Sequence, residues 1–161
     1  MQLSRNSLSL EYLAAHLKGK VLILGIGNTL KNDDAAGSIL ASRLKEKLSC
    51  LVYDVGASPE NYLGKIIKDK PNTIVIVDAV DFGAKPGESA VIEASDIKTT
   101  NLFSTHNASI SLTINYLLNH FEANIMLLAI QPKDIGFGDK LSPEITETIT
   151  KLEHWFYETI R

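Results

Sequence analysis

Hydrophobic and polar positions follow two rhythms that trade places several times along the chain. Residues 7–18 (SLSLEYLAAHLK) set Leu10, Leu13, Ala14 and Leu17 on one face at helical spacing, and Gly19 offers a stop. Residues 21–27 (VLILGIG) are instead an unbroken aliphatic run, the pattern of a strand buried on both faces. Over 34–48 the apolar positions Ala36, Leu40, Leu44 and Leu48 recur every four residues, which predicts an amphipathic helix. The cycle then repeats. Residues 50–55 (CLVYDV) read as a strand, 59–69 as a helix with Pro59 suited to its first turn, and 73–80 (TIVIVDAV) as another doubly buried strand. Lys85-Pro86-Gly87 marks a turn before a shorter strand over 88–94. Residues 107–121 begin with strand-like alternation, but Ile110, Ile114, Leu117, Leu118 and Phe121 continue an apolar face at helical spacing, so a helix is predicted. Residues 124–130 (NIMLLAI) form a last strand, and Ser142-Pro143 opens a C-terminal helix with Ile145, Ile149, Leu152 and Phe156 inward.

Strands separated by helix-length segments require crossover connections, hence an α/β fold with a mostly parallel sheet covered by helices on both faces. No repeat, low-complexity tract or linker interrupts residues 1–161, which reads as a single domain with its leading segment, 1–19, packed on it. A chain of 161 residues is long enough for one substantial core. With 16 Lys+Arg against 19 Asp+Glu, a formal charge of −3 and no long basic run, electrostatic nucleic-acid binding is not its main business. The lone Cys50 excludes internal disulfides and all-cysteine metal centres, and it fits a reducing compartment. No apolar stretch approaches the roughly 18–20 residues of a membrane helix. Glu11, His16 and Lys18 interrupt any signal core, so the expectation is a cytoplasmic protein without membrane insertion.

In open α/β sheets, ligands gather beyond the carboxyl ends of the strands. The loops there carry GIGNTLKNDD, DVGASPEN, DAVD and QPKD, and STHN precedes the helix at 107; together they bring Asn28, Asp33, Asp34, Asp54, Asp78, His106 and Gln131 to one edge. Gly25-x-Gly27 after a strand invites a dinucleotide reading. Against it, Leu30 stands where the third glycine belongs, and the following acids would repel a pyrophosphate. The two glycines then read as easing a tight strand-to-loop bend. Asp33 and Asp34 also suit the capping of a helix N-terminus. Asp78 ends an apolar strand and must find partners or a cation. His106 gains meaning only if it meets Asp34 and Asp78, a mixed oxygen and nitrogen set that suits Ni²⁺, Zn²⁺ or Cd²⁺ better than Mg²⁺. Cys50 reads as a buried inert thiol, and His16, His120 and His154 as packing or surface residues of helices. Neither G-x-S-x-G nor H-E-x-x-H is present.

Taken together, GIGNTLKNDDAAG (25–37), DVGASPEN (54–61), IVDAVDFGAKPGE (76–88), STHN (104–107) and AIQP (129–132) resemble the nickel–iron hydrogenase maturation endopeptidases. SPEN and IQP bring the formate-hydrogenlyase-type branch nearest. The resemblance spans roughly residues 20–155, one motif per predicted loop. It implies a three-layer α/β/α domain with a twisted five-stranded sheet. It also implies an enzyme that cuts a short C-terminal extension from a hydrogenase large-subunit precursor once nickel has been inserted. Carried over by position, Asp34, Asp78 and His106 would contact nickel, and Asp54 would be a further acid near the cleft. The nickel would arrive with the precursor, a transient partner, and Zn²⁺ or Cd²⁺ could stand in for it. Residues 54–64 and 101–107 would border the docking groove. The chain departs from the family pattern at Ala35 and Val55, both positions where glycine is common. A β-branched residue at 55 would be strained if the backbone there needed positive φ.

Two other readings compete. In a phosphoacceptor receiver domain, Asp33 and Asp34, Asp78 and Lys133 would mimic the acid pair, acceptor and lysine, leaving His106 without a task. A non-catalytic chaperone would bind nickel and leave every precursor intact.

Overall fold

The computed structural model describes residues 9–97 and 107–160. A short helix α1 (Leu10–Ala15) leads into strand β1 (Val21–Ile26), and a 3-10 turn (Asn32–Ala35) runs without a break into α2 (Ala36–Leu44). Strand β2 (Leu51–Gly56) follows, then a second 3-10 turn (Pro59–Tyr62) continuous with α3 (Leu63–Asp69) and strand β3 (Thr73–Ala79). Strand β4 (Ser89–Glu93) passes into a single helical turn, α4 (Ala94–Ile97). Helix α5 (Asn107–Leu118), strand β5 (Asn124–Ile130) and the long α6 (Pro143–Ile160) complete the described chain.

The five strands form one sheet in the order β2-β1-β3-β5-β4, with the first four parallel and β4 antiparallel to β5. The direction of β4 follows from its connection. Parallel strands need a crossover of a dozen or more residues, usually helical, whereas the link from β3 to β4 is a short loop with no helix. The strand therefore returns, leaving a space beside β3 that β5 later fills. The aliphatic runs occupy the centre: every residue of β1 and β3 is buried.

Side-chain alternation divides the core into two layers. Leu22, Leu24, Ile74 and Ile76 pack with Ile66 of α3 and with Ile110, Ile114 and Leu117 of α5. Ile23, Val75 and Val77 pack with Leu40 and Leu44 of α2 and with Ile145, Ile149, Leu152 and Phe156 of α6. The α/β/α layering matches the pattern of the sequence. Two details differ: the helix predicted over 34–48 opens as a 3-10 turn and ends at Leu44, and Leu118 is half exposed rather than inward.

The glycines of the first loop work differently from the expected bend. Neither Gly25 nor Gly27 has positive φ. They permit close approach instead. A Cβ on Gly25 would lie 2.2 Å from the Gly37 carbonyl oxygen, and one on Gly37 would lie 2.1 Å from that of Val77. Helix α2 thus rests directly on the backbones of β1 and β3, at the end of the sheet where the candidate acids sit.

Candidate active site

Four consecutive residues of the 3-10 turn, Asn32–Ala35, carry two adjacent acids with different fates. A 3-10 helix has three residues per turn, so neighbouring side chains diverge by about 120°. Asp33 turns toward the loop after β5 and is completely buried. Its Oδ2 accepts the backbone N–H of Lys133 (3.0 Å), that of Asp134 (2.9 Å) and the Ser142 hydroxyl (2.7 Å). Its Oδ1 accepts the Ser142 N–H at 2.7 Å. Asp33 is therefore a staple between two loops, and the expected helix capping is replaced by this longer-range role. Lys31 bridges Gly138, and Asn32 N–H donates to the Gly138 carbonyl, so the backbones of the two loops are joined as well.

Asp34 turns the other way, toward the end of β1. It is 1% exposed, and its Oδ2 accepts the Asn28 N–H at 3.2 Å. The missing Cβ of Gly27 lets this turn settle: a Cβ there would lie 2.6 Å from the Asp34 carbonyl oxygen. Asp78, fully buried, occupies the penultimate position of β3. Val77 before it takes the close contact with Gly37. The same packing of α2 on the sheet thus brings the Asp34 and Asp78 backbones to one edge.

Asp54 is on the far side of β1. Gly25 pairs with Asp54 on β2 and with Val77 on β3, so the two acidic strands flank β1 and are about 10 Å apart. Tyr53 and Val55 belong to the layer of α3 and α5, which directs Asp54 to the α2 face; Val77 and Ala79 belong to the α2 layer, which directs Asp78 to the α5 face. The two acids therefore leave the sheet on opposite sides. Asp54 Oδ1 accepts the Ser38 hydroxyl at 2.6 Å and the Gly56 N–H at 3.1 Å. It borders an open cleft of about 480 Å³, which Asn28, Ser38, Val55, Gly56 and Tyr62 also line. The positive φ at this bend, 58°, falls on Gly56 rather than Val55, so the departure from the family pattern at Val55 carries no strain.

His106 and the segment 101–106 lie outside the described residues; α5 begins immediately after, at Asn107. Among the described residues no three His, Cys, Asp or Glu side chains form a group able to hold a metal ion. Gln131 has a supporting role: its Oε1 accepts the N–H groups of Phe82 (2.8 Å) and Ala84 (3.1 Å), and its Nε2 donates to Asp81 (3.1 Å). It fixes the chain as it leaves β3, just beyond Asp78. Ser38 escaped the sequence reading, although a serine on the apolar face of α2, beside Ala41, was a usable signal. His16 and His120 are occupied locally, each with Nδ1 within 2.8 Å of a carbonyl one helical turn back and its ring against a tyrosine. Cys50 is half-buried, and burial pushes its thiol up to about 11.

The receiver reading does not survive this geometry. The strand that follows β3 in the chain is an antiparallel edge, and Lys133 Nζ donates to Glu144 Oε2 at 2.9 Å on the surface. Among the described residues no helix is long and apolar enough to cross a membrane.

Known proteins bear directly on this arrangement. The family model for the hydrogenase maturation protease HycI matches residues 36–158. The hydrogenase 3 maturation protease of Escherichia coli K12 is 33% identical over 143 residues, covering 83% of this chain and 89% of that protein. The crystal structure of the [NiFe] hydrogenase maturation protease HycI from Thermococcus kodakarensis KOD1 superposes with a TM-score of 0.77 at 32% identity, covering 92% of this chain and 97% of the other. HybD from Thermococcus kodakarensis, another [NiFe] hydrogenase maturation protease, superposes with a TM-score of 0.71 at 27% identity over 89% of this chain and 100% of its own. The chain belongs to the hydrogenase maturation protease family, and it is a peptidase.

Proposed function

We propose that this peptidase removes the C-terminal extension of a nickel–iron hydrogenase large-subunit precursor after nickel insertion, and that the inserted nickel is what it recognises. The observation that carries the reading is the pair of buried carboxylates, Asp34 and Asp78, held at one sheet edge by glycine-mediated packing in a chain of this family. Two carboxylates at one end of the sheet favour a cation by charge. A divalent ion delivered by the substrate would be that cation, with His106 as third ligand. The donor set of two oxygens and one nitrogen suits a borderline ion such as Ni²⁺, and Zn²⁺ or Cd²⁺ would substitute. A precursor lacking the ion would forgo that contact with the acids, which makes the site a test of insertion.

Docking the ion would align the scissile bond near Asp54. Hydrolysis then adds the oxygen of water to the carbonyl carbon and delivers a proton to the leaving amine. A carboxylate at this edge, with Asp54 bordering the open cleft, would accept the proton of the attacking water. The precursor is a transient partner on this reading, and the single half-buried cysteine suits the reducing cytoplasm.

The test is cleavage read by intact mass. The host's large-subunit precursor is incubated with the protein in nickel-loaded and nickel-free forms, beside His106→Ala and Asp34→Asn variants. Release of a C-terminal peptide from the loaded form alone, abolished in both variants, is the expected result. Equal cutting of both precursor forms would overturn recognition through nickel.

A further inference from the structure

Two loops at the site end in large apolar side chains that the fold leaves in solvent. Phe137 is 89% exposed, Leu30 59% and Ile135 41%. Three such groups on adjoining loops are a costly surface for a soluble chain unless something covers them. They are also held out firmly. Gly138 N–H donates to the Leu30 carbonyl at 2.8 Å, Lys31 bridges Gly138, and Asp33 accepts from Lys133, Asp134 and Ser142. Both loop backbones are thus anchored, and such pre-organisation lowers the cost of binding.

The position of this knob indicates its occupant. The turn 28–31 is closed by the Lys31 N–H to the Asn28 carbonyl, and the Leu30 N–H donates to Asn28 Oδ1. Asn28 in turn borders the cleft with Asp54 and donates its N–H to Asp34. One short turn thus joins the knob, the cleft and the buried acid. A polypeptide that leaves the cleft over this turn would pass beside Leu30. We propose that Leu30, Ile135 and Phe137 are the seat for an apolar stretch of the polypeptide substrate beside its scissile bond. This rests on the reading that Asp34 holds the substrate's ion and so aligns the scissile bond. Grip and reaction centre are then mechanically coupled, because the Asp33 staple fixes the distance between them.

The experiment uses the full chain carrying Leu30→Ser and Phe137→Ser together. Both positions are exposed, so the thermal midpoint should match the parent protein. With the nickel-loaded precursor as substrate, KM rises about tenfold or more while kcat stays within about twofold. Binding of the uncut precursor, measured by interferometry in an Asp34→Asn background, weakens by the same factor. Unchanged KM and unchanged binding would overturn the proposal. So would light scattering that finds the parent protein dimeric and the double variant monomeric, since the knob would then cover a second copy. The binding arm stands apart from catalysis. If Asp34→Asn cuts as fast as the parent while the knob variant binds weakly, the site reading falls and the seat remains.

Discussion

The buried carboxylate of Asp33 offers the most direct test of how this fold holds its site. Replacing it with alanine removes the acceptor for three backbone N–H groups and one hydroxyl, all on the loop between β5 and α6, far from Asp33 in sequence. A hydrogen bond to a charged group contributes about 1.5–3 kcal/mol, but four bonds to one carboxylate do not add. Water admitted to the gap would satisfy part of the loss. We therefore expect Asp33→Ala to cost about 3–5 kcal/mol, against a total of roughly 5–15 for a domain. At about 2–4 °C per kcal/mol for this chain length, the midpoint falls by about 6–20 °C. Asp33→Asn separates geometry from bulk. An amide oxygen at the Oδ2 position still accepts from Lys133, Asp134 and the Ser142 hydroxyl, but its NH₂ faces the Ser142 N–H, so about half of the loss should return. Urea unfolding with an unchanged slope measures both, and hydrogen exchange at Lys133, Asp134 and Ser142 reports where the structure opened. An alanine variant within about 0.5 kcal/mol of the parent would refute the staple. An asparagine variant no better than alanine would refute the assignment of bonds between the two oxygens.

Other expectations follow from the same packing and burial. Gly37→Ala places a Cβ 2.1 Å from the Val77 carbonyl oxygen and should cost about 3 kcal/mol or more, whereas Gly64→Ala in α3, with nothing within 4 Å, should gain about 0.5–1. Paired denaturant curves decide both, and similar behaviour of the two variants would refute the close-approach argument. Cys50, raised to about 11 by burial, should alkylate about a hundredfold more slowly than a free thiol at pH 8; the rate of an unhindered peptide thiol would contradict its burial. Tyr53 is raised to about 12 by burial and by its hydrogen bond to Asp69. A raised pKa means that the fold favours the neutral phenol, so this contribution is complete below pH 10.0 and is lost as pH climbs from 10.0 to about 12. Phenolate absorbance should show a late step that Tyr53→Phe removes, and a step at the ordinary tyrosine pH would refute it.

The strands and most of the helices were legible because burial on two faces leaves a direct mark. A strand between two helical layers must be apolar along its middle, and β1, β3 and β5 are, with polar residues only near the strand ends (Thr73, Asp78 and Asn124); α6 shows its inward stripe of Ile145, Ile149, Leu152 and Phe156 for the same reason. The sheet-edge rule then drew attention to the loops beyond the carboxyl ends of the strands, and the order of their motifs carried the family. Strand direction at the edge left no such mark. β4 would have the same composition whichever way it ran, and only the short return from β3 makes it antiparallel. Local pattern was equally silent on the two neighbouring acids. Asp33 and Asp34 share charge, size and helical position, yet the pitch of a 3-10 turn sends one to staple the loop over 133–142 and the other toward the end of β1. The glycines tell the same story. A missing Cβ is visible in any sequence, but whether it frees a backbone angle or makes room for a neighbour depends on what lies opposite. For Gly25 it is the backbone of Gly37 and for Gly37 that of Val77, which comes opposite the first loop only once the sheet has formed.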